Sequence, residues 1–407
     1  MAQNEVPVGP LHGMRVVELA TVVMAPYAGQ MLGDFGADVI KVEHGPDSSR
    51  MMGAGAVGGL SGVALNLHRN KRSIALNVKS DTGALVLRAL LDTADVFLTN
   101  LRPGPLARLG LSYEDLASTY PRLVYCESHG FASGSAEENA PVYDDIIQAL
   151  TGLPSLNEEV LGVAAFFPAL IGDKITGVMI ANAVLAALVH RERTGEGQKV
   201  EVPMFDAVLS FNLVEHLAGA AIPGERAGYS RILSSHRGPH RTADGHVAIM
   251  PYTDEHWRAL FAAVDRMDMM ERPWFAEHST RLKEADHVFS DLAEIVIERT
   301  TAEWLELCEP LAIPASPVPT VDEIVNDPSL HRGVLRDEVH PLVGPYRHIE
   351  SPFKLSASPT SLRSPAPLLG EQTDEILSEL GFTPDEIEAM MERGDAHRPR
   401  RSPGTAR

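Results

Sequence analysis

The regular alternation of strand and helix patterns at the start of the chain constrains its fold most strongly. Short runs of apolar residues predict strands at residues 15–19, 38–43, 73–78, 96–99 and 123–126. Between them, helix-forming residues predict helices at 26–35 and 82–93 and a short helical turn at 105–109. Strands and helices that alternate at this spacing indicate a mainly parallel sheet of the α/β class. Because ligands of such sheets bind beyond the carboxyl ends of the strands, we expect the functional residues in the segments that follow them.

The later part of the chain contains further helices and then a change of composition. A long helix is predicted at 173–193, followed by a strand at 198–203 and a helix at 205–221. Between residues 222 and 241, Gly, Pro, Ser, Arg and His replace the aliphatic residues, which indicates a linker into a second unit. The basic, proline-containing tail at 394–407 is predicted to be disordered.

Charge and cysteine content argue against several classes of protein. The formal net charge of −20 would repel a phosphate backbone, so nucleic-acid binding is not expected. Two cysteines, Cys126 and Cys308, are too few for a disulfide framework or a four-thiolate zinc site, and Cys126 is predicted to be a core residue. No secretory signal is seen before residue 10, and the apolar run at 175–189 is too interrupted to span a membrane. We therefore expect a cytoplasmic protein that does not act at a membrane.

The turn after the first strand argues against a dinucleotide cofactor. Glu43 ends the second strand, where an acid that binds a ribose would lie in a dinucleotide-binding fold. However, residues 20–25 contain no glycine, and glycines are needed there for the backbone to approach a pyrophosphate. We therefore expect neither a nicotinamide nor a flavin cofactor.

Asp173, which follows Gly172 and precedes a long apolar helix, is the strongest candidate for a chemical role. One interpretation is structural, since aspartate is a preferred N-cap residue. The other is catalytic: the positive field at a helix N-terminus would keep the carboxylate ionised, and an ionised carboxylate can attack an activated acyl group. The residues around Asp173 do not decide between these interpretations.

Several blocks of sequence resemble the family III coenzyme A transferases, which include formyl-CoA transferase and carnitine CoA-transferase. The most specific blocks lie at residues 33–43, 70–76, 195–200 and 367–373, and the resemblance runs from about Gly9 to Gly381. In that family the nucleophilic aspartate lies in a Gly-Asp-x-x-(Ser/Thr)-Gly block, which is similar to residues 172–177 here. The resemblance therefore implies that Asp173 is a covalent nucleophile, that acyl-CoA and a carboxylic acid are the substrates, and that no metal is needed.

The resemblance also implies which residues contact coenzyme A. They lie in the turns after the predicted strands and are Val22, Val23, Leu76, Lys79, Asn100 and Arg108, with Lys79 and Arg108 as partners of phosphate groups. Two positions depart from formyl-CoA transferase: His44 and Pro141 stand where that enzyme has basic residues. Its glycine loop is also missing between residues 222 and 245. These departures argue against formyl-CoA and oxalate as substrates but not against CoA transfer.

Two other functions stay open. A 2-methylacyl-CoA racemase of the same fold would use a histidine where this chain has Tyr143, and a tyrosine with a pKa near 10 is a poor base at neutral pH. His129 lies fourteen residues earlier and does not match that position. Tyr143 is instead a candidate for the substrate pocket. The second alternative is a non-catalytic CoA-binding protein, against which the intact Asp173 argues.

The resemblance further implies the domain arrangement. A large Rossmann-like α/β domain would be built from both chain ends, residues 1–225 and 328–393, and a smaller α+β domain from 226–327. Two copies would form an interlaced homodimer. The donor acyl-CoA and the acceptor acid depend on the acyl pocket, which the sequence does not identify.

Overall fold

A seven-stranded sheet takes six strands from the first half of the chain and one from residues 396–397. The computed structural model describes residues 9–53, 58–224 and 226–399. The strands in this part of the chain are β1 (Arg15–Leu19), β2 (Asp38–Glu43), β3 (Lys71–Leu76), β4 (Val96–Thr99), β5 (Val124–Glu127), β6 (Lys199–Glu201), β7 (His240–Arg241), β8 (His246–Ile249), β9 (Ala315–Pro317), β10 (Leu335–His340), β11 (Gly344–Ile349) and β12 (Ala396–His397). The large sheet has the order β12-β3-β2-β1-β4-β5-β6. Its six longer strands pair in parallel, which confirms the predicted α/β class with a mainly parallel sheet.

Helices connect many of these strands. They are α1 (Met24–Asp34), α2 (Gly62–Leu67), α3 (Asp81–Leu91), α4 (Pro103–Arg108), α5 (Tyr113–Leu116), α6 (Asp144–Leu150), α7 (Leu153–Leu161), α8 (Ile171–Thr194), α9 (Met204–His216), α10 (Asp254–Ala263), α11 (His278–Lys283), α12 (Ala285–Val296), α13 (Thr301–Cys308), α14 (Val321–Asn326), α15 (Pro328–His331), α16 (Thr373–Glu379) and α17 (Pro384–Arg393). Short 3₁₀ turns lie at 48–51, 218–221, 267–271 and 273–275. The predicted helix at 205–221 is therefore shorter, because it ends at His216 before a separate 3₁₀ turn.

The strand order creates a crevice at one position of the sheet. From β1 the chain moves outward in one direction to β2 and β3, and then returns to the other side of β1 to form β4 and β5. Such a reversal of strand order separates the loops beyond the carboxyl ends of the two central strands, and ligands of open α/β sheets bind there. In this protein the crevice lies beyond the ends of β1 and β4, at Ala20–Val23 and Asn100.

Two strands differ from the sequence predictions for identifiable reasons. β3 begins at Lys71, two residues before the predicted start. The prediction began too late because the charged residues at 71 and 72 do not fit an apolar strand pattern. Lys71 is nevertheless buried, and its ammonium group lies 2.7 Å from the carboxylate of Glu18 on β1. The prediction of disorder is wrong for residues 394–399, because Ala396 and His397 pair antiparallel with β3 and Ala396 is fully buried. Residues 400–407 lie outside the described residues.

The contacts within the chain define two units. The first contains residues up to 147, 169–209 and those from 332 onward, and its core lies around Val17, Ile40, Phe97 and Tyr125. The second contains residues 148–168 and 210–331, with the three-stranded sheet β7-β8-β9 and a core around Trp257 and Trp304. The second unit extends further at both ends than the predicted segment 226–327, and the predicted domain boundaries stay a prediction.

Cys126 and the long helix α8 have the environments that the sequence patterns indicate. Cys126 is fully buried on β5, as predicted for a core residue, and burial raises the pKa of its thiol.

α8 is long and apolar enough to cross a membrane by length and composition alone, but half of its most apolar stretch is buried within the protein. It packs along α1. Buried core helices pass the same test of length and composition, so the packing supports the predicted buried helix.

Candidate active site

Asp173 lies inside the first turn of α8 rather than at its cap. The helix begins at Ile171, and Leu170 occupies the N-cap position without a side-chain hydrogen bond to the helix. The N-cap interpretation of Asp173 is therefore wrong, because the helix begins two residues before it. Its side chain is 8% exposed, so the carboxyl group is almost completely withdrawn from water.

A second carboxyl group, that of Asp144, meets the start of α8. Oδ1 of Asp144 accepts a hydrogen bond from the backbone N–H of Asp173 at 2.9 Å, and Asp144 is itself 4% exposed. Gly172 permits this approach, because a Cβ at that position would lie 3.2 Å from Oδ1 of Asp144 and 3.1 Å from Cε of Met204. Asp144 therefore satisfies one of the N–H groups that the first turn of a helix leaves without a partner.

Burial and Asp144 together change the acidity of Asp173. Burial raises the pKa of Asp173 to about 7, and the negative charge of Asp144 adds to the effect. The expectation that the helix N-terminus keeps this carboxylate ionised is thus wrong in direction, since desolvation disfavours the charged form more than the helix favours it. A carboxylate with few surrounding water molecules is a stronger nucleophile, and pKa values shifted in this way are typical of functional sites.

Packing between α1 and α8 brings the turn after β1 close to Asp173. A Cβ at Gly177, about one helical turn beyond Asp173, would lie 2.8 Å from the backbone oxygen of Met24, the first residue of α1. Val23, which precedes Met24, also lines a largely apolar cleft of about 590 Å³ together with Leu170 and Lys174 on either side of Asp173. The structure therefore places the predicted contact residue Val23 beside the start of α8.

Val22 lies in the turn that follows β1, and Asn100 follows β4 and bonds to the same turn. Val22 has a φ of +67°, a conformation that costs a β-branched residue about 1–3 kcal/mol unless its surroundings hold it. The side-chain amide of Asn100 accepts from the backbone N–H of Thr21 at 2.9 Å and donates to the carbonyl of Thr21 at 2.7 Å. Asn100 thus makes structural hydrogen bonds to the turn that precedes α1.

Leu76, Lys79 and Arg108 lie at or beyond the carboxyl ends of strands, as the sequence indicates. Leu76 is fully buried in the core at the end of β3, so its side chain is unsuited to contact a polar nucleotide. Lys79 is exposed in the turn before α3, and Arg108 is exposed at the last residue of α4. β3 and β4 are three positions apart in the sheet, so their ends lie roughly 14 Å from each other. Lys79 and Arg108 stay candidates for contacts with phosphate groups.

Tyr143 and His129, the residues that bear on the racemase alternative, have opposite environments. Tyr143 is 69% exposed immediately before α6. His129 is 3% exposed after β5, and neither of its ring nitrogens has a hydrogen-bond partner among the described residues. Burial lowers the pKa of His129, so its imidazole is neutral near pH 7. The backbone oxygen of His129 accepts from Met204, whose side chain approaches Gly172.

Sequence reasoning missed Asp144 and identified no metal ligands. The only local signal for Asp144 is its position at the start of a helix, where acids are common for structural reasons. Over residues 9–53, 58–224 and 226–399, no group of three or more His, Cys, Asp and Glu side chains is arranged to hold a metal ion.

Comparison with known proteins identifies relatives along almost the whole chain. A succinate–glutarate CoA-transferase from Agrobacterium fabrum is 32% identical over 383 residues, which cover 91% of this chain and 96% of that protein. A formyl-CoA:oxalate CoA-transferase from Afipia carboxidovorans is 32% identical over 414 residues, which cover 94% and 97%. The crystal structure of a CaiB/BaiF family protein from Brucella suis is similar with a TM-score of 0.77 and 28% identity, over 92% of this chain and 100% of that one.

The sequence model of one family spans β1 to β11, the crevice and the start of α8. The model for CoA-transferase family III matches residues 11–373. This match confirms the resemblance inferred from the sequence blocks. The chain therefore belongs to CoA-transferase family III and is an acyl-CoA:carboxylate CoA-transferase.

Proposed function

We propose that the protein transfers coenzyme A from an acyl-CoA to a carboxylic acid through a covalent thioester on Asp173. The observation that carries this proposal is the environment of Asp173: a buried carboxyl group in the first turn of α8, with a pKa raised by burial to about 7. Near neutral pH a substantial fraction of it is ionised, and the ionised form has few water molecules to displace before it attacks.

The reaction divides into two halves that share one intermediate. An oxygen of Asp173 attacks the thioester carbonyl of the donor, the carbon–sulfur bond breaks, and a mixed anhydride and the CoA thiolate form. The thiolate then attacks the Asp173 carbonyl of the anhydride, which releases the donor acid and leaves an aspartyl-CoA thioester. The acceptor carboxylate attacks this thioester, and the thiolate finally takes the acceptor acyl group and regenerates the Asp173 carboxylate. Each step exchanges bonds of similar energy, which is the advantage of covalent catalysis here.

Asp144 contributes to this scheme by holding the backbone of Asp173. Its hydrogen bond to the N–H of Asp173 connects the start of α6 to the start of α8, and both residues are buried. The same N–H is therefore occupied and is not available to stabilise an oxyanion. The carboxylate charge of Asp144 raises the pKa of Asp173, so it disfavours the free anion and favours neutral acylated forms of that side chain.

The crevice beyond β1 and β4 is the proposed binding site for coenzyme A. Val22 and Val23 supply the turn at the start of α1, and Lys79 and Arg108 supply exposed cations for phosphate groups. A cleft of about 830 Å³ beyond the carboxyl ends of β2 and β3 is lined by His44, Arg50 and His397, among others, and offers further room for a nucleotide. Relatives act on different short dicarboxylic acids, so the proposal leaves the acid open.

An isotope experiment tests the covalent step directly. The enzyme is incubated with an acyl-CoA and an acceptor acid labelled with ¹⁸O in its carboxylate, and the peptide containing Asp173 is analysed by mass spectrometry. The anhydride formed with the acceptor must leave one ¹⁸O on Asp173, so a mass increase of about two units on that peptide is expected. Succinate, glutarate and oxalate are suitable acceptors for the first panel. Product formation without label on Asp173 would contradict the covalent scheme.

The interlaced homodimer, built from a large domain of residues 1–225 and 328–393 and a small domain of 226–327, is also proposed. α8 leaves Val178 and Val189, two large apolar side chains, 41% and 51% exposed in a single copy, which is consistent with a further packing surface. Light scattering after size-exclusion chromatography should give a mass near twice the 44.0 kDa of one chain. A monomer at micromolar concentration would contradict the dimer.

We also propose a cytoplasmic location for the protein.

A further inference from the structure

The turn between β1 and α1 contains a backbone conformation that its own sequence disfavours. Val22 has a φ of +67°, and a β-branched side chain is among the least suited to this region. The conformation sets the direction in which the chain leaves β1, and therefore the position of Val23 and of the first turn of α1. α1 begins without a side-chain cap at Val23. Because a free turn of this sequence would relax to negative φ, other residues must hold it.

Asp47 and Lys41 hold the turn from the side of β2. Oδ1 of Asp47 accepts a hydrogen bond from the backbone N–H of Val22 at 2.9 Å, and Oδ2 lies 2.9 Å from Nζ of Lys41. Lys41 in turn donates to the carbonyl of Ala20 at 2.7 Å and pairs with Glu18 at 3.1 Å. A single buried ion pair thus binds the backbone at both ends of the segment from Ala20 to Val22.

The ionisation of Asp47 is consistent with this structural role. Burial raises the pKa of Asp47, but the charge of Lys41 and the N–H groups of Ser49 and Val22 outweigh it and lower the pKa below its usual value. Asp47 is 4% exposed, and Lys41 is fully buried. The carboxylate therefore stays charged, and a charged acceptor makes a stronger hydrogen bond to a backbone N–H than a neutral one.

Asn100 holds the same turn from the side of β4. Its amide oxygen and one of its amide hydrogens bond to the N–H and the carbonyl of Thr21. Ala20, Thr21 and Val22 are consecutive, so each residue of the segment makes at least one backbone hydrogen bond to Lys41, Asn100 or Asp47. Lys41 lies on β2, Asp47 follows β2 and Asn100 follows β4, and we call these three side chains the turn clamp.

We propose that the turn clamp positions the β1–α1 turn for coenzyme A, and that affinity for CoA depends on Asp47 and Asn100 although neither needs to touch the ligand. The inference rests on the proposed function, in which Val22 and Val23 contact CoA. It changes the role assigned to Asn100, from a residue that contacts CoA to a positioning residue. It adds Asp47 and Lys41, which the sequence did not single out.

The test uses Val22→Gly as a structural rescue. Asn100→Ala and Asp47→Ala are each prepared alone and combined with Val22→Gly, and the affinity for free CoA is measured by titration calorimetry. Each single clamp variant is expected to bind CoA at least about 10-fold more weakly. Glycine adopts positive φ without steric cost, so each clamp substitution is expected to weaken CoA binding by less than about 3-fold in the Val22→Gly background. Val22→Gly alone is the reference for these combinations, because Val22 is itself a proposed contact. The turnover number at saturating acyl-CoA should change much less than the KM for acyl-CoA.

The controls separate this inference from simple loss of stability. Asp115→Ala removes an exposed carboxylate that accepts from the N–H and hydroxyl of Ser112, far along the chain from the turn, and should leave CoA affinity unchanged. Asp47→Ala leaves Lys41 without one buried partner and can fail to fold. Asn100→Ala removes no charge from a half-buried position, so it provides the decisive variant if Asp47→Ala is insoluble.

Three outcomes are decisive. A folded Asn100→Ala protein with wild-type affinity for CoA would overturn the inference. An equal loss of CoA affinity from Asn100→Ala in the wild-type and Val22→Gly backgrounds would also overturn it, and would return Asn100 to direct contact with CoA while the proposed function stands. If the wild-type protein binds neither CoA nor acyl-CoA at this site, the proposed function fails, and the inference fails with it.

Discussion

Oδ1 of Asp144 lies 2.9 Å from the backbone nitrogen of Asp173, and this hydrogen bond joins two buried acidic residues, one at the start of α6 and one in the first turn of α8. The arrangement has two effects that oppose each other. It fixes the backbone that carries the proposed nucleophile, and it places a negative charge where the nucleophile must itself be negative. Burial raises the pKa of Asp173, and the charge of Asp144 adds to this shift.

Replacement of Asp173 should abolish transfer without abolishing the binding of CoA. Asp173→Asn keeps the size of the side chain but removes the nucleophile, so turnover is expected to fall by at least about 1,000-fold, while the Kd for CoA changes by less than about 3-fold. Hydroxylamine should trap a hydroxamate on Asp173 in the wild-type protein incubated with acyl-CoA, and not in the variant. Asp145→Asn, at an exposed neighbour of Asp144, is the matched control. Substantial turnover by Asp173→Asn would remove this residue from the mechanism.

The same substitution should stabilise the fold at neutral pH. The folded-state pKa of Asp173 is raised, so the folded protein binds the proton more tightly than the unfolded chain, whose value is 3.8. The contribution of this group to stability is therefore complete below about pH 4 and is lost as pH rises through about 7. Asp173→Asn removes that loss and is expected to raise the free energy of unfolding at pH 8 by on the order of 2 kcal/mol. Urea denaturation at pH 5 and pH 8 measures it. An equal gain in the free energy of unfolding at both pH values would show that the charge of buried Asp173 is not the cause.

The pH dependence of activity should report the charge of Asp144. Only ionised Asp173 attacks, so kcat/KM for acyl-CoA is expected to fall as pH decreases through about 7. Asp144→Asn keeps an oxygen that can accept from the N–H of Asp173 but removes the negative charge, so the fall should move to lower pH. Asp145→Asn should leave the profile unchanged, because its side chain is exposed and solvent screens it. A profile that does not move in Asp144→Asn would exclude the proposed electrostatic effect.

Loss of the positive charge of either Lys79 or Arg108 should weaken CoA binding. Arg108→Ala and Lys79→Ala are each expected to raise the Kd for CoA roughly 5- to 100-fold, the range of about 1–3 kcal/mol for one charge-assisted hydrogen bond. The loss should be smaller at high salt, because the interaction is electrostatic. Arg336→Ala, an exposed arginine on β10, serves as the control. Wild-type affinity in both variants would show that other residues bind the phosphates.

Exchange of the α-proton distinguishes transfer from racemisation. In deuterium oxide with a 2-methylacyl-CoA and no acceptor acid, a transferase should incorporate no deuterium at the α-carbon. Tyr143 is exposed and stands where a racemase would have its histidine base, so removal of the α-proton is not expected. Addition of a carboxylic acid should then produce a new CoA ester and release the donor acid. Rapid exchange by the wild-type protein, without a new ester, would favour the racemase and would make neutral His129 the first residue to replace.

Local patterns in the sequence predicted the framework of the protein. The strands at 15–19, 38–43 and 96–99 occur as predicted, because short runs of apolar residues mark segments that a parallel sheet buries on both faces. The long helix was predicted from residue 173, and the structure begins it at Ile171. The family was predicted from short blocks that each lie within one turn or strand end. Asp173 was identified as a nucleophile from the sequence block at residues 172–177 and not from its surroundings in the fold.

Only the tertiary structure decided which residues far apart along the chain come into contact. Asp144 precedes Asp173 by 29 residues, and Asn100 lies 79 residues from Thr21. No periodicity connects such pairs, because their meeting depends on the order of the strands and on the packing of α1 against α8. The direction of the pKa shift of Asp173 follows from the same packing: a helix N-terminus can be read from sequence, but the removal of water around it cannot. The sequence therefore determined the type of sheet, the family and the identity of the proposed nucleophile, while the burial of that nucleophile and the turn clamp arose from long-range packing.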